Sequence, residues 1–331
     1  MTGLETGAPV RTRRRTLTSI WRMSRWLTSP LITVLVASFV VYAALLLAPG
    51  DPAVQILGPR ATAEQYAALR HSLGLDRPMP VQYGDWLWNA LHGDFGSSLT
   101  YKQPVSALLG SRLAVTLELA AYAGVLIIVV GIAVGTLGGT ARWARLPVTA
   151  LTAAGIAVPS FVAAQTLVAV LAVRLGWFPV LAGDGGSFTA TIRQLTLPAV
   201  ALAIGWSAYV AQVTRASVAA ESRSPHVEAA RGRGLSAGAV LRRHILRNAA
   251  IPITTVSALA VAGLFASAVV VESAFGLGGL GSLLVQSVAA KDQNAVLAVS
   301  LILLVVFVVT TTTVDVLQAA LDPRLRTRKQ V

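Results

Sequence analysis

Six stretches of this chain are apolar for roughly twenty residues each, and a polypeptide with that pattern has few ways to fold. Hydrocarbon offers no water to backbone N–H and C=O groups, so a segment that crosses a core of about 30 Å must bond within itself, as a helix of about 20 residues does. The runs are Leu31–Leu47, Ala114–Leu137, Leu146–Leu171, Leu195–Ala216, Ala249–Val271 and Ala295–Leu317. They predict an all-α membrane protein with about six transmembrane helices. Pro159 interrupts the third run and Pro198 opens the fourth, which is tolerable where neighbouring helices cover the freed carbonyl. Composition agrees: 12% of the residues are charged, against about 25% in an ordinary soluble domain, and the mean hydropathy is +0.68. Arg11, Arg13, Arg14, Arg15, Arg22 and Arg25 precede the first run. Its apolar core is too long for a signal peptide and lacks a convincing small-residue cleavage pattern, so it reads as an uncleaved first helix.

Orientation follows from basic residues in short loops, which stay on the cytoplasmic side. The N-terminus, the Arg142–Arg145 turn, the Arg215–Arg247 loop and the C-terminal end counted from Asp315 together hold 19 Lys and Arg against 5 Asp and Glu. The alternating segments hold 8 of each. Both termini are therefore expected in the cytoplasm, and the net charge of +13 is a topology signal rather than a nucleic-acid footprint. The resulting organisation is a basic N-terminus (1–29), a first transmembrane helix (30–48), an extracytoplasmic segment (49–112), a five-helix core (113–320) with a cytoplasmic loop at 221–248, and a cytoplasmic tail (321–331).

Several chemistries are excluded. There is no Cys, hence no disulfide framework and no thiolate site. His71, His92, His226 and His244 show no metal-ligand spacing, and the last two read as polar residues of the cytoplasmic loop. None of Lys102, Lys291 and Lys329 stands in a G-x-x-x-x-G-K-[ST] phosphate loop, so the chain cannot hydrolyse ATP itself. Gly276, Gly278 and Gly281 fit G-x-G-x-x-G, but they follow a membrane helix rather than a strand, which leaves a flexible extracytoplasmic turn. The outer segment has turn signals at Asp51-Pro52, Gly58-Pro59, Pro78 and Pro80 and a capping box at Thr62 and Gln65, and is too small for an enzyme domain. Trp86, Trp88, Trp177 and Phe178 flank spans on this side, where interface anchors stand. Glu118, an acidic residue inside the second run, is read as a helix-start carboxylate at the interface. An ion-coupled carrier would bury several ionisable groups at the midplane.

The stretch Glu228–Pro252 remains, polar and arginine-rich between two oily spans. Its spacing E-A-A-x-x-x-G offers close approach at Ala229, Ala230 and Gly234, and Leu235, Val240, Leu241 and Ile245 offer apolar knobs among the arginines. Such a segment suits a short helix-turn-helix laid into the cleft of another protein. A loop that merely hugs anionic lipid would not need that spacing.

These residues resemble the permease subunits of binding-protein-dependent ABC importers, whose cytoplasmic coupling loop carries E-A-A-x-x-x-G with a proline near its end; Glu228, Ala229, Ala230, Gly234 and Pro252 match. The dipeptide, oligopeptide and nickel branch is the most similar. The likeness extends over nearly the whole chain, through APGDP at Ala48–Pro52, LGLDRPMPVQY at Leu73–Tyr83, GDFGSS at Gly93–Ser98, TLELA at Thr116–Ala120, VPSF at Val158–Phe161, LGWFP at Leu175–Pro179, TRAS at Thr214–Ser217, ARGRGLS at Ala230–Ser236, RHILRNAAIP at Arg243–Pro252 and VESAF at Val271–Phe275. Gly278, His226 and the Gln293-Asn294 pair depart from the branch's usual residues.

The resemblance implies a type I ABC importer permease fold in a bacterial inner membrane and a non-catalytic role. A second homologous permease would complete the pathway, two ATP-binding subunits would hold ATP and Mg, an extracytoplasmic substrate-binding protein would deliver solute, and membrane lipid would surround the spans. Nucleic acid is not an implied partner, and this chain needs no cofactor or metal. Coupling to the ATPase would fall to Glu228, Ala229, Ala230, Arg231, Gly234 and Leu235, and the pathway candidates are Pro159, Ser160, Gln165 and Glu118. The alternatives are an ion-coupled secondary transporter and a membrane-embedded enzyme or scaffold. The solute, whether dipeptide, longer peptide, nickel, metallophore or another small molecule, is left open.

Overall fold

A computed structural model describes residues 13–47, 52–72, 74–179 and 187–321. Arg11, positions 48–51 of the Ala48–Pro52 stretch, Asp184 and the tail 322–331 lie outside these residues. The described chain is almost wholly helical, as its spans demand.

Helix α1 (Arg13–Leu47) contains the first span, Thr28–Leu47. Leu31, Ile32, Val36 and Val40 on it are exposed, as lipid-facing side chains are. Three short helices follow: α2 (Pro52–Leu57), α3 (Ala63–Ser72) and α4 (Met79–Leu91). The expected capping box starts α3, with Gln65 N–H donating to Thr62 Oγ1 at 3.3 Å and Thr62 N–H donating to Gln65 Oε1 at 2.9 Å. Helix α4 docks on α1 through the Ser38 and Tyr83 hydroxyls, 2.8 Å apart. Trp86 joins Tyr42 and Tyr83 there at ring separations of 5.8 and 6.1 Å, and Phe178 packs on the core. Only Trp88 and Trp177 of the four expected anchors stay largely exposed.

Helix α5 (Val105–Thr140) is 36 residues long, about 54 Å at 1.5 Å per residue, so it projects well beyond the bilayer core. It runs parallel to α8 (Phe188–Glu221) along a glycine seam. A Cβ on Gly135 would stand 2.5 Å from the Ala211 carbonyl oxygen, and Cβ atoms on Gly131 and Gly139 would stand 2.7 Å from Val210 and Val218. Small residues let two helices meet backbone to backbone where apolar burial gives no net drive between them.

The third span is broken. Helix α6 (Arg145–Ala157) and α7 (Ser160–Leu167, continued by a π-helical stretch Val168–Arg174) meet at 98°. Pro159 disfavours helical backbone in the residue before it, and Val158 is accordingly extended at φ −84°, ψ 116°. The interruption expected at Pro159 within Leu146–Leu171 is thus a sharp bend between two helices. Pro198 does not open the fourth span, because α8 already starts at Phe188 and carries Pro198 inside it.

Beyond α8 come α9 (Pro225–Gly232), α10 (Ala237–Val240), a π-helical turn Leu241–Ile245, α11 (Leu246–Phe275), α12 (Leu280–Ala289) and α13 (Gln293–Leu321). The main core lies between α5, α7, α8 and α11, around Leu119, Ile127, Leu202, Val210, Leu264 and Phe265. At the α5 N-terminal end, a hairpin pinned by the Ser97–Pro104 bridge rests on α13. The Asp292 carboxylate accepts from Ser98 Oγ at 2.5 Å, Thr100 N–H at 3.1 Å and Ala295 N–H at 3.3 Å.

Candidate functional site

The arginine-rich loop folds into two short helices wedged between the ends of α8 and α11. Ser224 precedes α9, Pro225 occupies its first turn, and Gly234 reverses the chain after it at φ +78°. Gly234 N–H donates to the Arg231 carbonyl at 2.9 Å, and Leu235 N–H to the Ala230 carbonyl at 3.4 Å. The Ser236 hydroxyl then caps α10 by accepting from Ala239 N–H at 3.4 Å. Val227 and Ala230 point inward and pack with Val218, Val240, Ile245, Ala249 and Ile253. Glu228, Ala229, Arg231, Gly234 and Leu235 are exposed together.

Two expectations change here. Ala230 belongs to the protein's own core, as do the supposed knobs Val240 and Ile245, so the outward surface is narrower than the motif implied. Glu228 stands in the first turn of α9, where its N–H donates to the Ser224 carbonyl at 3.2 Å. A Cβ on Gly234 meets no atom within 4 Å, so within this chain only the positive φ requires glycine.

A cavity of about 470 Å³ opens where the third span breaks, lined by Ile156, Val158, Ser160, Leu202, Gly205, Trp206, Tyr209, Leu259 and Ser267. Trp206 is held in place by α11: a Cβ on Gly263 would overlap its indole. Of the four pathway candidates only Ser160 lines this cavity. Pro159 makes the bend, and Gln165 and Glu118 are exposed elsewhere. Glu118 lies well inside α5 and is no helix-start residue. No side chain lining the cavity carries a formal charge.

Among the described residues the structure buries two acidic side chains, Asp292 and Glu272, and Glu272 is fully enclosed at the end of α11. Its Oε1 accepts from the Thr116 hydroxyl at 2.7 Å, and its Oε2 accepts from Gly281 N–H at 2.7 Å and Ser282 N–H at 3.2 Å. Leu280 N–H donates to Thr116 Oγ1 at 2.9 Å, completing the cradle. The first-turn N–H groups of α12 have no partners within the helix, and this carboxyl supplies one. Gly279 and Gly281 are therefore packed against this carboxyl, whereas a Cβ on Gly278 would meet nothing within 4 Å. Gly276 ends α11 in the left-handed region at φ +62°, while a Cβ on Gly279 would overlap the Glu272 carboxyl and one on Gly281 would stand 2.5 Å from Val269 Cα.

An arginine-rich wedge at one end, a broken span around an uncharged cavity and a bundle fastened by glycines make a pore component rather than a catalyst. Residues 127–327 match the binding-protein-dependent transport system inner membrane component family, and residues 21–120 match its N-terminal companion. The chain belongs to this family. It is a non-catalytic, multi-pass permease subunit of an ATP-driven ABC importer in a bacterial inner membrane, and the secondary-transporter alternative falls. A "Putative peptide transport system permease protein" of Brucella abortus (strain 2308) is 38% identical over 300 residues, spanning 88% of this permease and 94% of the relative. The glutathione transport system permease protein GsiC of Salmonella typhimurium (strain LT2) is 35% identical over 297 residues, spanning 89% and 95%. In solved structures, the inward-facing MetNI methionine ABC transporter shares the fold with a TM-score of 0.54 at 20% identity, covering 65% of this permease and 96% of that chain. An amino acid ABC transporter with histidines shares it with a TM-score of 0.50 at 22% identity, covering 65% and 94%.

Proposed function

We propose that this permease forms, with a second homologous permease, a pathway for short peptides or a related small solute, and that α9 couples it to two cytoplasmic ATP-binding subunits. An extracytoplasmic substrate-binding protein delivers the solute, and both termini lie in the cytoplasm. ATP and Mg stay on the partner subunits. The observation that carries the reading is the two-sided build of α9. Its inner face, Val227 and Ala230, is locked into the ends of two spans, and its outer face, Glu228, Ala229 and Arg231, continued by Gly234 and Leu235 of the turn after it, is exposed. A helix anchored on one side and bare on the other suits a groove in a partner. The peptide assignment draws support from the relatives named for peptide and glutathione transport, glutathione itself being a tripeptide. The cavity at the broken span supports the pathway: Trp206, Tyr209, Ser160 and Ser267 offer aromatic and hydroxyl contacts and no formal charge.

The test is Gly234→Leu in the assembled transporter. Left-handed backbone costs a branched residue roughly 1–2 kcal/mol, so the turn after α9 should reseat while the spans insert normally. Uptake of labelled peptide should be lost at unchanged membrane levels. Parental uptake, with parental stimulation of ATP hydrolysis by the loaded binding protein, would reduce the loop to ordinary cytoplasmic sequence.

A further inference from the structure

The start of α9 is fastened by polar groups that none of the preceding roles uses. Glu221 closes α8, His226 is the second residue of α9, and Asn248 lies in the first turn of α11. His226 Nε2 lies 2.9 Å from Glu221 Oε1 and 3.0 Å from Asn248 Nδ2, and Asn248 Nδ2 donates to the same Glu221 Oε1 at 3.0 Å. The Ser224 hydroxyl, which donates to the Glu221 main-chain carbonyl at 2.7 Å, stands 3.3 Å from the same imidazole nitrogen. One carboxylate oxygen and one ring nitrogen thus join three helices at a single point. Two of those helices cross the membrane, and the third presents the exposed surface at Glu228–Leu235.

We propose that Glu221, His226 and Asn248 are positioning residues that fix the angle of α9, and that the proton on His226 Nε2 decides which span α9 is tied to. This inference rests on the reading of α9 as the coupling helix. With Nε2 protonated, the ring donates to Glu221 and α9 is tied to α8. With Nε2 bare, it accepts from Asn248 and α9 is tied to α11, while its lone pair faces the Glu221 oxygen at 2.9 Å, an unfavourable contact. The two states cannot satisfy both neighbours equally.

The charges around the ring come from each packed element. Glu221 lies on α8 and Arg223 just after it; His244, with its ring 6.4 Å from that of His226, shares the π-helical turn with Arg242 and Arg243; Arg247 lies on α11. Glu228 and Arg231 belong to α9 itself, and α10 contributes no titratable group. Only Glu221 is within hydrogen-bond reach of the ring among these described groups. His226 and Glu221 side chains are 45% and 25% exposed, so water screens the contact and each bond contributes modestly.

The experiment measures ATP hydrolysis by the whole transporter in proteoliposomes between about pH 5.5 and 8.5. Glu221→Ala and Asn248→Ala should each lower the rate about fivefold, the value of one hydrogen bond, with the complex still assembled. His226→Ala should do the same and lose its pH dependence relative to the parent. His226→Gln places an amide nitrogen near the position of Nε2 without an exchangeable ring proton, and should recover most of the rate while its ratio to the parent changes across pH. A His226→Gln profile that tracks the parent at every pH overturns the proton-dependent choice. Parental rates in all three alanine variants overturn the positioning role. Gly234→Leu in parallel separates the two readings: normal triad variants beside a dead Gly234→Leu sink only this inference, whereas normal behaviour throughout sinks the coupling role of α9 as well.

Discussion

Glu272→Ala offers the sharpest test of what holds the permease closed at the α5 N-terminal end. The Glu272 carboxyl accepts from Gly281 N–H, Ser282 N–H and the Thr116 hydroxyl, all buried. Truncation leaves the two N–H groups without acceptors, and a buried donor left unmade costs about 1–3 kcal/mol. The loss should therefore be about 2–6 kcal/mol before any cavity contribution. Glu272→Gln is milder. Its amide oxygen can take the place of Oε2 toward the two N–H groups, and its NH₂ then meets the Thr116 hydroxyl, which must redirect its own proton; the cost is about 1 kcal/mol. Thermal unfolding of the purified chain in detergent, followed by fluorescence-detected size exclusion, reads the difference. At about 2–4 °C per kcal/mol, Glu272→Ala should unfold at least about 4 °C below the parent, and Glu272→Gln should fall between them. An alanine variant within about 2 °C of the parent, or a glutamine variant as damaged as alanine, would refute the cradle as a structural fastening.

Two further outcomes are expected alongside those for Gly234→Leu and the Glu221–His226–Asn248 triad. Gly135→Ala should destabilise the permease by about 1–3 kcal/mol, since its Cβ would meet the Ala211 carbonyl and Thr214; Gly110→Ala on the same helix, whose Cβ meets nothing within 4 Å, is the matched control and should be neutral or better in the same thermal assay. Single cysteines at the exposed positions 97 and 236 of this Cys-free chain should react with an impermeant thiol reagent in intact cells at 97 alone; labelling at 236 but not at 97 would invert the proposed topology.

Much of this architecture is legible in the sequence because the bilayer imposes length and apolarity on every span. The Thr62–Gln65 box was readable for a similar reason, both partners lying within one turn. Glu272 was not. It closes an apolar run, its partners are Thr116, 156 residues away, and two backbone amides that carry no side-chain signature, and its neighbouring glycines read as looseness when they are clearance for a carboxyl group. Residue-level facing in α9 was equally hidden. Eight residues hold little more than two turns, too few for periodicity to tell inward Ala230 from outward Ala229. Pro159 announced a disturbance but not its size, since a proline permits anything from a slight kink to the observed 98° break.

The cavity and the arginine-rich wedge lie at different levels of the bundle, yet the same two helices build both. Leu202, Gly205, Trp206 and Tyr209 come from α8, and Leu259 and Ser267 come from α11. The far end of α8 supplies Val218 to the cluster under α9, and the start of α11 supplies Ala249 and Ile253. Along α8 the glycine seam leaves no slack against α5: at Gly131, Gly135 and Gly139 even one added carbon would collide. A push on α9 therefore cannot be absorbed between α5 and α8, which must move as one body. Pro198 of α8 lies beyond the cavity, so between α9 and the cavity the yielding points lie along α11, in the π-helical turn Leu241–Ile245 before it and at Pro252, where a main-chain hydrogen bond is missing. On the proposed reading, ATPase closure would thus shift α11 against the α5–α8 pair. The cavity, with Trp206 on one of those bodies and Gly263 beneath it on the other, is where that relative motion would be felt by a solute.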